Sequence, residues 1–198
     1  MLQIRPVIEV TAFPGTAPWP VADLPAWSWL PLDGARTEGE VAFFVAAVAA
    51  SDTLDELLAS DGDRIVVGGL QIHDTVTGAT VSPGCCCGLE DWRTWQDLCT
   101  GGTGRWLGHD PTPTVEHRGD LVRLWQDEQR RGPFVDVAPA VLPGLLEHVR
   151  HDLTAFLALT SRWAAAHGDA LTAVLDSSFA MTAPLELPCD TGTSARPA

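Results

Sequence analysis

Three cysteines stand side by side at Cys85-Cys86-Cys87, inside the block from Ser82 to Trp95 that holds the chain's densest set of chemically capable residues. Three chemistries compete for the run. A thiol at a helix N-terminus has a lowered pKa, and its thiolate is the nucleophilic and redox-active form. Glu90 and Asp91 follow within one turn and oppose that lowering, and the run is not the Cys-x-x-Cys of dithiol oxidoreductases. A metal site would join thiolates of Cys85, Cys86 and Cys87 to His109, Asp110 or His117. Against it, adjacent side chains diverge, and structural zinc sites space their cysteines by about two to four residues. Cys99 would lie roughly 15 Å from the run along an α-helix, and Cys189 falls near the chain's end. The third reading is packing: cysteine is small and readily buried, and Gly84 and Gly88 would let a junction into a helix pass tightly beneath a sheet. Packing is the preferred reading, with a strained disulfide between neighbours as its variant.

Other acid and imidazole pairs carry less. His109-Asp110 and Glu116-His117 are neighbours in sequence, and on extended backbone such neighbours point to opposite faces. His109 to Pro113 reads as a turn stabilised by Asp110. Glu147 with His151, and His148 with Asp152, share a helix face at i, i+4 spacing, the pattern of a solvated surface.

The elements that must position these residues can be read from periodicity. Leu2 to Val10 alternates as a strand, and Pro14, Pro18, Pro20 and Pro25 then keep the chain irregular. Trp19, Trp27 and Trp29 are expected to clip that loop to the core. Val41 to Ala50 is an apolar run read as a strand. Thr53 and Glu56 have capping-box spacing and predict a helix through Ala59, ended at Asp61-Gly62. Short strands follow at Ile65 to Val67, Leu70 to His73 and Ala79 to Val81, the last two joined as a hairpin through Thr75 to Gly78. Gly88 can cap a helix in which Leu89, Trp92, Trp95 and Cys99 share the buried face and Arg93 looks to solvent.

A second hairpin joins Thr114–His117 to Leu121–Trp125, and Phe134 to Val137 adds a strand. From Pro143 the apolar residues Leu146, Val149, Leu153, Phe156, Leu157 and Trp163 fall at helical steps, with Gly168 placed to end the helix. A last helix is expected from Asp169 to Met181. These elements predict an α+β fold, an antiparallel sheet of short strands with helices packed on one face and a long C-terminal helix. Residues 1–181 form one domain and 182–198 a disordered tail.

Composition excludes several functions. The net charge is −14, which repels nucleic acid and anionic lipid and favours a cationic partner. Lysine, asparagine and tyrosine are absent, so there is no Schiff-base lysine, no Walker A loop and no N-glycosylation acceptor. The longest apolar run is about half the roughly 20 residues that a membrane helix needs. Five cysteines, three of them contiguous, do not make a secreted disulfide framework, and a cytoplasmic location is expected.

The segment Gly84-Cys85-Cys86-Cys87-Gly88-Leu89-Glu90-Asp91-Trp92, with Trp106 to Pro111 and the Val122 to Trp125 strand, resembles a family of uncharacterised actinobacterial proteins marked by that cysteine motif. The resemblance covers most of residues 40 to 165 and implies no catalytic residue.

Charge, the eight tryptophans and the lack of a recognisable catalytic set lead to a non-enzymatic module, immunity- or antitoxin-like, that docks a basic protein. Trp92, Trp95, Trp106, Asp110 and Glu116 are its expected contact residues. No cofactor, nucleic acid or membrane enters that reading. The alternative is a thiol- or metal-dependent enzyme centred on Cys85, Cys86, Cys87 and His109.

Overall fold

The first and third strands run antiparallel along almost their whole lengths, from Leu2 against Asp74 to Ile8 against Gly68. In the computed structural model, which describes residues 1–11, 17–50, 52–59, 64–102 and 107–187, this pair is the centre of a four-stranded sheet. Strand β1 (Leu2–Glu9) is flanked by β2 (Trp29–Pro31) on one side and β3 (Gly68–Asp74) on the other, with β4 (Thr80–Val81) outermost. A second sheet holds β5 (Thr114–Arg118), β6 (Leu121–Trp125) and β7 (Phe134–Val137) in sequence order. Every pairing in both is antiparallel. The two sheets are clamped where the Ser82 N–H donates to Gln126 Oε1 at 2.7 Å and Gln126 Nε2 returns a hydrogen bond to the Ser82 carbonyl at 3.1 Å.

Both expected hairpins form. Asp74 accepts from the Val76 N–H and the Thr77 hydroxyl to close the first turn, and Gly78 follows at φ +76°. In the second, Gly119 takes φ +61°, a left-handed conformation that costs glycine little. Ile65 to Val67 is not a strand: it contributes a single bridge from Val67 to Gly88.

The run Val41 to Ala50 is helical rather than extended. Helix α1 (Glu38–Ala49) opens on a capping box in which the Thr37 hydroxyl accepts from the Glu40 N–H and the Glu40 carboxylate accepts from the Thr37 N–H. Val41, Ala42, Phe43, Phe44, Val45, Ala46, Val48 and Ala49 are all buried. A helix buried all round has no polar face and hence no visible period. Helix α2 (Leu54–Ala59) carries the expected box between Thr53 and Glu56; its expected terminator at Asp61-Gly62 lies outside the described residues.

Helix α3 (Leu142–Trp163) is the long C-terminal helix, and its stripe from Leu142 and Leu146 to Phe156 and Leu157 packs across β1 and against α1. Phe44 of α1 meets Phe156 edge-on at 5.0 Å. Gly168 does not end this helix. A short 3-10 turn at Ala165–His167 does, and Gly168 opens α4 (Gly168–Phe179) instead. A Cβ there would collide with the Ser161 carbonyl, so glycine is what lets the two helices close on each other.

The chain between the cysteines and residue 100 is a 3-10 helix, Leu89–Thr100. Three residues per turn put Leu89, Trp92, Trp95 and Leu98 in one line, and all four are buried. Leu98 therefore takes the inward place expected of Cys99, which is half-buried. Arg93 does not face solvent freely: its guanidinium donates to the carbonyls of Ala180, Ala183 and Pro184. That grip, the hydrogen bonds from Thr182 to Asp176, and Leu185 and Leu187 against the core fix residues 182–187, the start of the expected tail. The rest of that tail, 188–198 with Cys189, lies outside the described residues.

Candidate metal centre

Gly84 and Gly108 bring two distant segments into backbone contact. The Gly84 N–H donates to the Leu107 carbonyl at 2.8 Å, and one residue further Cys85 and His109 exchange hydrogen bonds in both directions, at 2.7 and 3.0 Å. A Cβ on Gly108 would stand 2.5 Å from the Gly84 carbonyl, and one on Gly84 would stand 2.7 Å from the Gly108 carbonyl carbon and the His109 nitrogen. No other residue type fits this crossing without moving one segment away from the other.

The crossing sets the Cys85 thiol on the His109 ring, with Sγ 2.7 Å from Nδ1. Cys86 completes a cluster. Its backbone adopts φ +62°, a left-handed conformation uncommon for a residue with a side chain. An extended run would send neighbouring thiols to opposite sides; this one leaves Cys86 Sγ 3.8 Å from Cys85 Sγ. The donor atoms of Cys85, Cys86 and His109 all lie within 4.8 Å of one another, with Cys85 half-buried and the other two exposed. The expectation that adjacent thiols diverge fails at this one backbone angle.

Cys87 goes its own way. It is buried, its Sγ faces the Cα of Gly69 on β3, and its carbonyl accepts from the Gly68 N–H at 2.9 Å. Burial, then the Asp91 and Glu90 carboxylates, push its thiol up to about 11. It lines a cavity of about 10 Å³ between β3, the 3-10 helix and Pro113, space for roughly one water. The packing reading of the triplet therefore describes Cys87, and the metal reading gathers Cys85, Cys86 and His109.

The electrostatics bear on which chemistry fits. Partial burial, then the Cys86 thiol and the Asp110 and Glu9 carboxylates, raise the Cys85 thiol above its ordinary value. A thiolate standing free at neutral pH needs the opposite, so any attack by this sulfur must shed its proton within the step itself. A bound cation displaces the thiol protons outright and turns the same carboxylates into favourable neighbours.

Of the other singled-out residues, Trp92 and Trp95 are buried, and Trp92 Nε1 donates to the Phe179 carbonyl at 2.9 Å, so both serve the core and present no docking surface. Trp106 lies outside the described residues. Asp110 is exposed beside His109. Glu116 accepts from Trp125 Nε1 at 3.0 Å and pairs with Arg130 at 3.6 Å on the second sheet, and His117 Nε2 bonds to the Gly102 carbonyl at 2.8 Å. Neither joins the cysteine cluster. Trp19 clips its loop as expected, donating to the Ala42 carbonyl and tilting onto Trp163, while Trp27 is 75% exposed.

One arrangement escaped the sequence reading. Arg123 forms a two-pronged pair with Asp136 at 2.7 Å for both bonds, and its guanidinium lies 3.7 Å from the centre of the Phe134 ring. Hairpin register was the available signal, since Arg123 faces Asp136 across β6 and β7.

No helix among the described residues is long and apolar enough to cross a membrane. Compared with protein-family models, with curated proteins and with solved structures, the chain matches none.

Proposed function

We propose that the protein binds a thiophilic metal ion, with Zn²⁺ as the reference case, through Cys85, Cys86 and His109. The observation that carries this reading is the 3.8 Å separation of the two sulfurs beside an imidazole nitrogen. Two thiolates bound at about 2.3 Å to a tetrahedral Zn²⁺ stand about 3.8 Å apart, so the pair already spans a tetrahedral edge. The His109 nitrogen would withdraw from Cys85 by about 0.8 Å to reach its own vertex. Soft sulfur with one imidazole selects zinc or copper(I) over magnesium or calcium. Among the described residues three ligands come together, and three ligands leave the fourth position to solvent or an incoming ligand, the pattern of reactive zinc rather than of closed structural sites. The charge of −14 adds a general attraction for cations.

The alternative of an acidic face docking a basic protein keeps Asp110 and Glu116, but of its three expected tryptophans Trp92 and Trp95 are buried in the core and Trp106 lies outside the described residues. The site is therefore the better-supported reading.

The test is titration of the reduced protein with Co²⁺. One equivalent should produce a thiolate-to-cobalt charge-transfer band and the intense visible bands of a tetrahedral ion, and Zn²⁺ should abolish both. Cys85→Ser, Cys86→Ser and His109→Ala should each weaken binding by at least about tenfold, with Cys87→Ala close to the parent. Absence of the charge-transfer band, or a parent-like C86S, would overturn the assignment.

A further inference from the structure

We infer that Cys85 and Cys86 are also a redox couple, closing to a disulfide that shuts the metal site; the inference rests on the metal reading above. The sulfurs are 3.8 Å apart, close enough that side-chain rotation and a modest backbone adjustment bring them to the about 2.05 Å of a disulfide. Cys86 is exposed, open to an oxidant in solution, and Cys85 lies directly behind it as the resolving thiol. Cys87 does not compete, because it is buried toward β3.

The oxidant is a hydroperoxide. The Cys86 sulfur attacks the terminal peroxide oxygen, an S–O bond forms as the O–O bond breaks, and the departing alkoxide or hydroxide leaves with the Cys86 thiol proton as an alcohol or water. The Cys85 sulfur then attacks the Cys86 sulfenic sulfur. An S–S bond forms, the S–O bond breaks, and hydroxide leaves with the Cys85 proton as water. Each sulfur loses one electron, and the two electrons reduce one peroxide bond.

The two states exclude one another, since a sulfur in the disulfide cannot serve as a thiolate ligand. Oxidation removes two of the three donors found among the described residues. Adjacent residues hold their Cα atoms about 3.8 Å apart, below the usual disulfide range, so the bond is strained and easily reduced. Thiol reductants restore the site.

The test uses the full reduced chain, treated with hydrogen peroxide free of metal and then alkylated under denaturing conditions for intact-mass thiol counting. The titre should fall by two from the five cysteines, in the monomer, with loss of Co²⁺ uptake, and dithiothreitol should restore both. Cys85→Ser and Cys86→Ser should form no such bond, and Cys87→Ala should form it normally. Co²⁺ uptake by the reduced chain with no thiol lost to peroxide overturns the switch and leaves the site standing. Loss of two thiols in a chain that takes up no Co²⁺ overturns the site and its gating together. A disulfide that persists in C86S overturns the pairing.

Discussion

Gly84 and Gly108 touch backbone to backbone, and that contact holds Cys85 against His109. A Cβ on Gly108 would meet the Gly84 carbonyl at 2.5 Å, and Gly108 itself holds φ +100°. Gly108→Ala therefore suffers both a left-handed strain and a collision at the crossing. It should lose about 1 to 3 kcal/mol of stability, and its Co²⁺ affinity should fall by at least about tenfold because the His109 segment must back away. Gly78→Ala supplies the control, since Gly78 has φ +76° but nothing within 4 Å of an added Cβ. It carries strain alone and should bind metal like the parent. Urea unfolding with cobalt titration of both variants checks the separation.

Arg123 and Asp136 give the clearest dependence on pH. The paired guanidinium holds the Asp136 carboxyl below its ordinary value of 3.8, against a smaller effect of burial. A carboxylate depressed by folding stabilises the native state fully above its unfolded value, and that contribution fades as pH falls through the lower native value. Asp136→Asn should cost about 1 to 2 kcal/mol at neutral pH, as expected for a two-pronged charged hydrogen bond that is partly exposed. The gap between parent and variant should narrow below 3.8. Urea midpoints of the two proteins at neutral and acid pH measure it; a gap that widens with acid would contradict the pairing.

Local rules carried most of the fold. The Thr53–Glu56 box, both hairpins and the α3 stripe are patterns in which each residue answers to neighbours a few positions away. The failures share a cause in what those rules omit. Helix α1 lost its periodicity because the core covers all its sides, although Thr37 and Glu40 offered the capping spacing that would have identified it. Cys85, Cys86 and His109 are legible as residue types but not as a cluster, because their assembly depends on one left-handed backbone angle at Cys86 and one long-range crossing at Gly84 and Gly108. Spacing along the chain encodes neither. The tryptophans show the reverse case, since their type fits an interface and a core equally, and only packing assigns Trp92 and Trp95 to the core.

Leu98 and Cys99 test the helix that leaves the cysteine run. In an α-helix, Cys99 would follow Trp92 and Trp95 at steps of seven and four and would share their buried face. In a 3-10 helix the step is three, and Leu98 takes that place. Leu98 is 2% exposed and Cys99 half-buried, in agreement with the tighter winding. Leu98→Ala should therefore cost about 2 to 4 kcal/mol through the lost contacts and the cavity left in the core, and Cys99→Ala less than about 1 kcal/mol. The difference is read from urea or thermal unfolding of the two variants. Equal costs, or a larger one at Cys99, would mean that the segment winds as an α-helix in solution, which would turn Leu98 away from the core and change how the helix leaves Gly88.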